Sequence, residues 1–418
     1  MRLTDLEKIE NSTVILDIDG TLTHPGGSTI VPEIMEAVER LRTHNDVYLL
    51  SNRGDHVRDA AIAQILGVGY IETSHRKPDP RALRSLERKR AALVVIGDKI
   101  LTDGLLALMT GARFIHISRI VSAHDSSADQ LAHAIDDTVA HAFSLLRLLR
   151  PVQWAKNALV FVPLFFAREF FDAGALGSIT AVFFAFCFIA SAGYIINDML
   201  DVEADRAHPR KRNRPLASGE VLMPEALTAA ALLLMASAAL FLAYAPAALL
   251  VGGVYFASSL VYSSYIKKIP LLEMVGFMWF YFARVLAGSV AVSIPLSAWL
   301  ILAILFLSLF FIAAKRYAEK TSGRGRSVLV HYPEKFLEGL LFLSAGLVVV
   351  FYGLYSILGV SSPIAVYSTV PILAAVIRYL QLSFSGQGTE YPEKLLFSDS
   401  GIRIAGVAWF LLMLAVFY

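Results

Sequence analysis

The sequence predicts a protein of two parts: an N-terminal α/β doubly wound domain and a C-terminal all-α membrane domain of about nine transmembrane helices. Two observations lead to this fold class. Residues 1–150 mix charged and apolar residues, and their short apolar runs alternate with helical stretches, as in a parallel sheet covered by helices. From about Trp154 onward, long apolar runs dominate. We therefore expect an N-terminal domain over 1–120, a linker helix over 121–152 and a membrane domain over 153–418.

Composition supports a membrane protein. The 418 residues are 56% hydrophobic and 17% charged, whereas soluble proteins are roughly 45–50% apolar and about 25% charged. The formal net charge of +2 says little about partners, and we expect no nucleic acid among them. Cys187 is the sole cysteine, which excludes an intrachain disulfide or a cysteine zinc site. No apolar stretch typical of a secretory signal follows the polar N-terminus.

The membrane part contains candidate spans of roughly the 20 mostly apolar residues that a bilayer requires. They lie at 157–172, 176–196, 224–243, 246–264, 271–291, 297–314, 336–358, 364–382 and 402–418. Lysine and arginine concentrate in alternate loops, at 206–214, 267–268 and 315–326, and are nearly absent from the opposite loops. By the positive-inside rule, the charged loops and the N-terminal domain are expected on the cytoplasmic face of the cell membrane.

An acidic and then basic segment follows the second predicted span. If the helix continues, Asp198, Asp201 and Asp205 lie on one face, with Asn197 one turn from Asp201. Carboxylates crowded at a membrane edge repel one another and are costly to desolvate. Mg²⁺ relieves both, because it prefers oxygen ligands and commonly joins carboxylates to substrate phosphates. The alternative interpretation is an acidic helix end that the basic loop neutralises, with no ligand.

Basic side chains near this segment are candidate phosphate contacts, since guanidinium and ammonium groups donate to phosphate oxygens. The first candidates are Lys211, Arg212 and Arg214. A second rank lies at the cytoplasmic ends of helices or within them: Lys267, Arg284, Lys315 and Arg316. Arg284 falls inside a predicted span, where an ionisable residue is costly and usually functional.

The pattern N-D-x-x-D-x-x-x-D from Asn197 resembles the first aspartate motif of the UbiA superfamily of intramembrane prenyltransferases. Its extension over 208–215, with segments at 287–288, 294–299, 315–319 and 377–379, resembles the branch of decaprenyl-phosphate phosphoribosyltransferases. The resemblance covers about 150–418. It implies transfer of 5-phosphoribosyl from phosphoribosyl diphosphate to a polyprenyl phosphate in the bilayer, with diphosphate released. It also implies catalytic roles for Asp198 and Asp201, Mg²⁺ bound by Asp198, Asp201 and Asp205, and Asn197 beside the substrate.

One segment departs from the superfamily pattern. Many members carry a second aspartate-rich motif, but residues 262–273 offer one acid, Glu273, beside Lys267 and Lys268. Fewer acids and more bases favour a donor with an additional phosphate. The alternative function is transfer of an isoprenyl group from its diphosphate to an aromatic or polar acceptor. A transporter with an enzymatic sensor domain would show interrupted, repeated halves and midplane charges. The sequence shows no such repeat, and its charges cluster at one membrane face.

In the N-terminal part, polar residues follow successive predicted strands. Asp17 and Asp19 end the run 13–19, Ser51 follows 47–50, and Asp98 follows 92–96, with helices expected at 31–43 and 55–67. The carboxyl ends of parallel strands share one edge of a sheet, where such folds place their sites. There Asp17 can act as a nucleophile and Asp19 as a proton donor, and Asp17 with Asp98 can hold Mg²⁺. Ser51 and Lys77 can bind the transferring phosphoryl group.

These residues, in the order D-x-D-G-T, serine, lysine and G-D-x-x-x-T-D, resemble the four motifs of haloacid-dehalogenase-type phosphatases over about residues 10–120. Asp103 is expected to orient Lys77 or to support the metal. The alternative is an inactive copy of the fold. Fusion to a phosphoribosyltransferase suggests that this domain removes the ribose 5-phosphate of the product. The acids and bases of 120–150 receive no chemical role, and a homo-oligomer is compatible with the sequence.

Overall fold

The computed structural model describes residues 3–6, 9–86, 90, 92–121, 126–208, 211–323, 327–360, 362–386, 395 and 398–417. Pro209, Arg210 and residues 324–326, which belong to predicted basic loops, lie outside the described residues. The chain divides into two compact units, Met1–Ser144 and Leu145–Tyr418.

The N-terminal unit contains a five-stranded parallel sheet with strand order β3-β2-β1-β4-β5. The strands are β1 (Ser12–Leu16), β2 (Asp46–Leu49), β3 (Gly69–Tyr70), β4 (Ala92–Gly97) and β5 (Arg113–His116). The helices are α1 (Pro32–Arg42), α2 (His56–Leu66), α3 (Leu105–Thr110) and α4 (Ser127–Leu149), whose residues 145–149 belong to the second unit. The predicted doubly wound fold is confirmed. The sequence did not reveal β3 and β5. Strand β3 has two residues, and in β5 only Phe114 and Ile115 form an apolar run, between Arg113 and His116.

Local sequence explains how two helices are placed against the sheet. In α1, Pro32 occupies the first turn, where its missing N–H costs nothing, and Ile34, Val38 and Leu41 are buried at helical spacing. In α2, the Asp55 side chain accepts a hydrogen bond from the backbone N–H of Arg58 at the start of the helix. The helix ends at Gly67 in the left-handed conformation.

The second unit is helical. Its α-helices are α5 (Val162–Phe166), α6 (Ala173–Leu200), α7 (Val202–Ala207), α8 (Pro215–Ser218), α9 (Met223–Tyr244), α10 (Ala248–Ser264), α11 (Leu272–Ala291), α12 (Ala298–Thr321), α13 (Glu334–Leu354), α14 (Thr369–Phe384) and α15 (Ser400–Phe417). Among the described residues, seven helices are long and apolar enough to cross a membrane. They are α6, α9, α11, α12, Glu334–Gly359, Pro363–Phe384 and α15. The helical membrane fold predicted from the sequence is therefore confirmed.

Two predicted spans are shorter than expected. The segment predicted at 246–264 is α10, which is apolar but has 17 residues. The segment predicted at 157–172 is not one long helix. A 3₁₀-helix, Pro151–Phe161, leads into α5, which has five residues. Pro163 supplies no backbone N–H for continued helical bonding, and Arg168 has a positive φ of 66°, which ends the helical segment.

A buried ion pair joins α11 to α12. Arg316 is 1% exposed and Glu273 is fully buried. The Arg316 Nε donates to Glu273 Oε1 at 2.8 Å, and its Nη2 donates to Oε2 of the same carboxylate. Arg316 Nη1 also donates to Glu319, on its own helix. Neither charge has access to water, so each depends on the other for its hydrogen bonds. The pair therefore holds the first turn of α11 against α12.

We predict that Arg316→Met strongly destabilises the membrane unit, because it leaves Glu273 charged and unpaired inside the protein. Breaking a buried pair on one side typically costs about 3–5 kcal/mol. Thermal unfolding of the full-length protein in detergent should show a clearly lower Tm. Arg206→Met is the control, because the Arg206–Glu203 pair is exposed and such pairs contribute about 0–1 kcal/mol. The double variant Arg316→Met, Glu273→Leu should recover much of the loss, and a Tm unchanged in Arg316→Met would contradict the prediction.

Candidate active sites

The carboxyl edge of the N-terminal sheet gathers the predicted phosphatase residues. Asp17 follows β1 and Asp98 follows β4, and both are buried. Lys77 Nζ donates to Asp17 and, at 2.6 Å, to Asp103 Oδ1. Asp17, Asp98 and Asp103 offer ligand atoms within 4.8 Å of one another. Among the described residues, no other three acidic, histidine or cysteine side chains meet that spacing.

Burial controls the charge of this cluster. Burial raises the pKa of Asp17 to about 6, although the neighbouring Lys77 ammonium opposes the shift. Burial likewise raises the pKa of Asp98 and of Asp103. For Lys77, burial would lower the pKa, but the two carboxylates raise it above its usual value. Two cations, the Lys77 ammonium and the Arg119 guanidinium, contact these three carboxylates, so negative charge is in excess and the site has the electrostatics of a cation site.

A divalent cation fits this donor set. Asp98 Oδ1 is buried and has no hydrogen-bond partner, whereas Oδ2 accepts from Arg119 Nε at 2.6 Å. A buried carboxylate oxygen without a partner is costly, and a metal ion satisfies it. Gly20 adopts a positive φ of 85°, and a Cβ there would lie 2.5 Å from Asp98 Oδ2. The glycine of the D-x-D-G-T motif is therefore required by the close approach of Asp98.

Asp19 lies in a different environment from Asp17. Arg58 donates to both of its oxygens, from Nη1 at 3.0 Å and from Nη2 at 2.8 Å. The Ser51 hydroxyl donates to Oδ2 at 3.2 Å. Burial alone would raise the pKa of Asp19, but the hydrogen bonds from Arg58 and from the N–H of Gly26 outweigh it and lower the pKa. To donate a proton, Asp19 must therefore separate from Arg58. The sequence analysis did not identify Arg58 as a residue of this site.

Asn52 was also missed, although it follows Ser51 at the end of β2. Its Nδ2 donates to the Lys77 carbonyl oxygen at 2.9 Å, and its Oδ1 accepts from the Lys77 backbone N–H at 2.6 Å. These reciprocal bonds hold the Lys77 backbone. The signal in the sequence was weak, because a polar residue after a strand is common.

The acids at the end of α6 are arranged differently from the prediction. The helix ends at Leu200 and α7 begins at Val202, so Asp201 lies at a break, and the face expected to carry all three acids is interrupted. Asp198 and Asp205 are buried. Arg214 Nη1 joins them, donating to Asp198 Oδ1 at 2.9 Å and to Asp205 Oδ2 at 2.6 Å.

Asp201 contacts a separate pair of residues. It accepts from Asn197 Nδ2 at 3.1 Å and from Lys267 Nζ at 3.4 Å, so the predicted neighbourhood of Asn197 and Asp201 is present. Lys211 Nζ lies 3.6 Å from Asp205 Oδ1. The predicted phosphate contacts Lys211, Arg214 and Lys267 are thus bonded to the predicted metal ligands.

Arg150 completes this arrangement. It precedes the 3₁₀-helix Pro151–Phe161 with a positive φ of 53°, and its Nη2 donates to both oxygens of Asp198 at 2.5 and 2.7 Å. Its guanidinium also lies 5.0 Å from the centre of the Tyr194 ring. The sequence reading placed Arg150 in a linker without a chemical role, because its contact with Asp198 spans 48 positions of the chain.

The acidic segment therefore has the ligand type of a Mg²⁺ site without its spacing. Its carboxylates are oxygen donors, but Asp198, Asp201 and Asp205 do not form a group within 4.8 Å among the described residues. Each is paired with a cation instead, as in the alternative interpretation of a neutralised helix end. A metal ion at this segment would have to replace some of those cations.

The second-rank candidates lie in other environments. Arg284 is 3% exposed, and its described partners are neutral: Asn157 Oδ1 at 2.7 Å, Tyr255 OH at 2.8 Å and the Phe280 carbonyl. These bonds tie α11 to α10 and to the 3₁₀-helix Pro151–Phe161. Arg316 is occupied by Glu273 and Glu319, as described above. Lys315 is its half-buried neighbour on α12, and Arg212 is exposed after α7.

Together these features define a multi-pass membrane enzyme with an α/β phosphatase-type domain at its N-terminus. The model of the UbiA prenyltransferase family matches residues 158–398, and the chain belongs to that family. The model described as mitochondrial PGP phosphatase matches residues 2–122. The resemblances inferred from both sets of motifs are confirmed.

Several named proteins are similar to parts of the chain. A decaprenyl-phosphate phosphoribosyltransferase of Mycobacterium tuberculosis is 36% identical over 276 residues, which are 63% of this chain and 91% of the relative. Another, of Corynebacterium glutamicum, is 36% identical over 66% of this chain and 87% of its own length. The N-terminal part is 30% identical to a probable phosphatase, YqeG, of Bacillus subtilis, over 26% of this chain and 66% of that protein.

The fold of the membrane part is also that of a solved structure. A UbiA homolog from Archaeoglobus fulgidus bound to GPP and Mg²⁺ has a TM-score of 0.52 and 21% identity, covering 66% of this chain and 99% of that one. At this identity the similarity concerns the fold alone.

We predict that Asn52→Ala lowers phosphatase turnover by about tenfold, because losing two hydrogen bonds that hold Lys77 costs about 1–3 kcal/mol. The measurement is kcat for p-nitrophenyl phosphate hydrolysis by the full-length protein. Gln64→Ala removes an exposed amide from α2 and is the matched control. An unchanged kcat in Asn52→Ala would show that Lys77 keeps its position without Asn52.

Proposed function

We propose that the membrane domain transfers 5-phosphoribosyl from phosphoribosyl diphosphate to a polyprenyl phosphate of the decaprenyl type. The observation that carries this proposal is the cation-rich surrounding of one acidic segment. Asp198, Asp201 and Asp205 are met by cations from three other parts of the chain: Arg150, then Lys211 and Arg214, then Lys267. Two substrates that both carry phosphate need such a concentration of positive charge. The similar phosphoribosyltransferases support the same substrates.

In the proposed reaction, a phosphate oxygen of the lipid attacks the anomeric carbon of the ribosyl group. The bond from that carbon to the diphosphate oxygen breaks, and its electron pair leaves with the diphosphate. Charge therefore grows on the leaving group as the reaction proceeds. Preorganised cations stabilise such charge most effectively in a site with little water. In the structure, the buried acids Asp198 and Asp205 hold Arg214 at the acidic segment, where the donor would meet it.

We propose Mg²⁺ as the metal of this segment. Oxygens of Asp198, Asp201 and Asp205 would hold it, and it would supply Lewis-acid stabilisation of the leaving group. Since each acid is bonded to a cation in the structure, the acids would have to exchange those cations, which would then be available to the phosphates. Lys211 and Arg214 are the candidates for this exchange, and exposed Arg212 is a further candidate for contact with the donor.

The remaining candidates receive different proposals. Asn197 positions Asp201 through their hydrogen bond. Lys267 is proposed to contact the phosphoribosyl diphosphate. It lies in the segment 262–273, where many superfamily members carry a second aspartate-rich motif. Lys315 remains a candidate for the lipid phosphate. For Arg284 and Arg316, the buried contacts favour a role in holding helices together over contact with substrate.

We predict that the full-length protein releases diphosphate from phosphoribosyl diphosphate when polyprenyl phosphate and Mg²⁺ are both supplied. Asp198→Asn should reduce the rate by about 100-fold, because it weakens the hold on Arg150, Arg214 and the proposed Mg²⁺, and lost electrostatic stabilisation of a leaving group acts on this scale. Glu203→Gln is the matched control, because this acid belongs to the same segment but is exposed. Omitting the lipid should abolish the release that depends on Asp198.

Absence of diphosphate release from the wild-type protein would count decisively against this assignment. If an isoprenyl diphosphate is consumed in its place, with an aromatic or polar acceptor, the chain is a prenyltransferase of the alternative kind. A rate that is equal in wild type and Asp198→Asn would place the chemistry away from the acidic segment.

We propose that the N-terminal domain removes the ribose 5-phosphate from the transferase product. Asp17 attacks the phosphorus, the ester oxygen leaves with the proton from Asp19, and water then releases phosphate from Asp17. Mg²⁺ held by Asp17 and Asp98 would neutralise the phosphoryl charge. Lys77, fixed between Asp17 and Asp103, and the Ser51 hydroxyl are placed to contact the phosphoryl oxygens. The fusion of the two domains in one chain supports this substrate.

We predict that the wild-type protein releases phosphate from the 5-phosphorylated ribosyl lipid and that Asp17→Asn does not, because the amide is not a nucleophile for phosphoryl transfer. Glu36→Gln, which neutralises an exposed acid on α1, is the control. The measurement is phosphate release with lipid analysis of the product. Equally negligible release from wild type and Asp17→Asn would refute this substrate.

We also propose that the protein lies in the plasma membrane with the N-terminal domain and the charged loops in the cytoplasm. The asymmetric distribution of lysine and arginine between alternate loops supports this orientation. Phosphoribosyl diphosphate, which is water-soluble and strongly charged, would then reach the acidic segment from the cytoplasm.

A further inference from the structure

The phosphatase site has an outer layer that the motif residues do not include. Arg119 follows β5, and its side chain is nine-tenths buried. Its Nε donates to Asp98 Oδ2 at 2.6 Å, and its Nη2 donates to the Asp98 carbonyl oxygen at 3.3 Å. These two bonds fix both the backbone and the carboxylate of Asp98. Because Oδ2 accepts the bond from Arg119, Oδ1 is the carboxylate oxygen left without a hydrogen-bond partner. Ligand oxygens of Asp98 and Asp17 lie within 4.8 Å of each other.

Asp136 of α4 reaches the same loop. It is 2% exposed, and its carboxylate accepts from the backbone N–H of Ile100 at 3.1 Å and of Leu101 at 2.8 Å. It also accepts from Arg119 Nη2 at 3.4 Å. Ile100 and Leu101 stand two and three positions after Asp98, so one carboxylate ties down the loop that carries this metal ligand. The buried Asp136 carboxylate is thus held by two backbone N–H groups of the loop after β4 and by the guanidinium of Arg119.

The contacts of Asp136 place α4 beside the loop after β4. Arg119, which bonds Asp98, also donates from Nη1 to Asp137 of α4 at 2.9 Å. The phosphatase family match ends at residue 122, and α4 begins at Ser127, so the family motifs assign this helix nothing.

We propose that α4 is part of the phosphatase site, and that Asp136 and Arg119 are positioning residues for the metal ligand Asp98. Residues that hydrogen-bond to a metal ligand and orient it typically lower the metal affinity by about 10–100-fold when they are removed. The short spacing between the phosphatase motifs leaves little room for a separate cap domain. Helix α4, which follows the sheet in the chain, contributes Asp136 to the surroundings of the site. The proposal rests on the phosphatase assignment of the N-terminal domain, and it holds whichever phosphate monoester is the substrate.

The test measures Mn²⁺ binding to the full-length protein by electron paramagnetic resonance. An Asp198→Asn background reduces any contribution from the acids of the membrane domain. Asp136→Asn should weaken the Mn²⁺ affinity of the N-terminal site by about 10–100-fold. Asp98→Asn, which removes the ligand itself, should abolish binding at this site. Asp137→Asn is the contrast, because its carboxylate is 68% exposed and bonds the same arginine at the surface, where such pairs contribute little.

A second measurement separates positioning from general damage. Hydrolysis of p-nitrophenyl phosphate by Asp136→Asn should need more Mg²⁺, and saturating Mg²⁺ should restore most of kcat. Saturating Mg²⁺ should restore nothing in Asp17→Asn, which lacks the nucleophile. Arg119→Lys, which keeps a cation beside Asp98, should retain more Mn²⁺ affinity than Arg119→Met. Asp136→Ala and thermal unfolding of each variant show whether a lost affinity reflects a lost fold.

Unchanged Mn²⁺ affinity in a folded Asp136→Asn would overturn the proposal. A loss of kcat in Asp136→Asn that saturating Mg²⁺ does not restore, while Mn²⁺ still binds, would also overturn it. Tighter Mn²⁺ binding in Arg119→Met would do the same, because it would show that Arg119 competes with the metal for Asp98. Neither measurement uses the ribosyl lipid. Failure of that lipid as a substrate therefore leaves this inference intact, and failure at Asp136 leaves the proposed lipid reaction intact.

Discussion

Buried carboxylates at the candidate sites are held by cations from other elements of the fold, and the arrangement of these sites depends on that pairing. Lys77 lies between Asp17 and Asp103, Arg214 lies between Asp198 and Asp205, and Arg316 holds Glu273. Taking a lone carboxylate out of water costs several kcal/mol or more, so each acid needs its partner to remain charged. The pairs also fix geometry, because arginine and lysine donate hydrogen bonds in defined directions.

The two sites use this constraint in different ways. In the N-terminal domain, three clustered acids are met by Lys77 and Arg119, and one buried oxygen of Asp98 has no hydrogen-bond partner. That excess of negative charge is what a metal ion requires. In the membrane domain, cations meet every acid of the segment, so the charges are balanced before any substrate arrives. A site balanced in this way suits a substrate that brings its own negative charge and metal, because binding exchanges partners without leaving a charge unpaired.

Parts of both sites come from segments without a motif. Arg58 and Asn52 follow the end of β2 and hold Asp19 and the Lys77 backbone. Arg150 stands before the first short helical segment of the membrane unit and holds Asp198. Each of these residues acts on a motif residue through hydrogen bonds that span 25 to 48 positions. The motif residues therefore do not form either site alone, and the side chains that orient them set the geometry in which they work.

The sequence by itself determined the two-part architecture, the parallel sheet, the helical membrane domain and the family of each part. These follow from apolar runs, from alternation of strands and helices, and from motifs whose residues are close in the chain. Tertiary structure decided what long-range contacts control: the break at Asp201, the cations that occupy the acids, the neutral surroundings of Arg284 and the attachment of Asp136 to the loop after β4. Periodicity describes neighbours within one element, whereas these contacts depend on how separate elements pack, which no local pattern encodes.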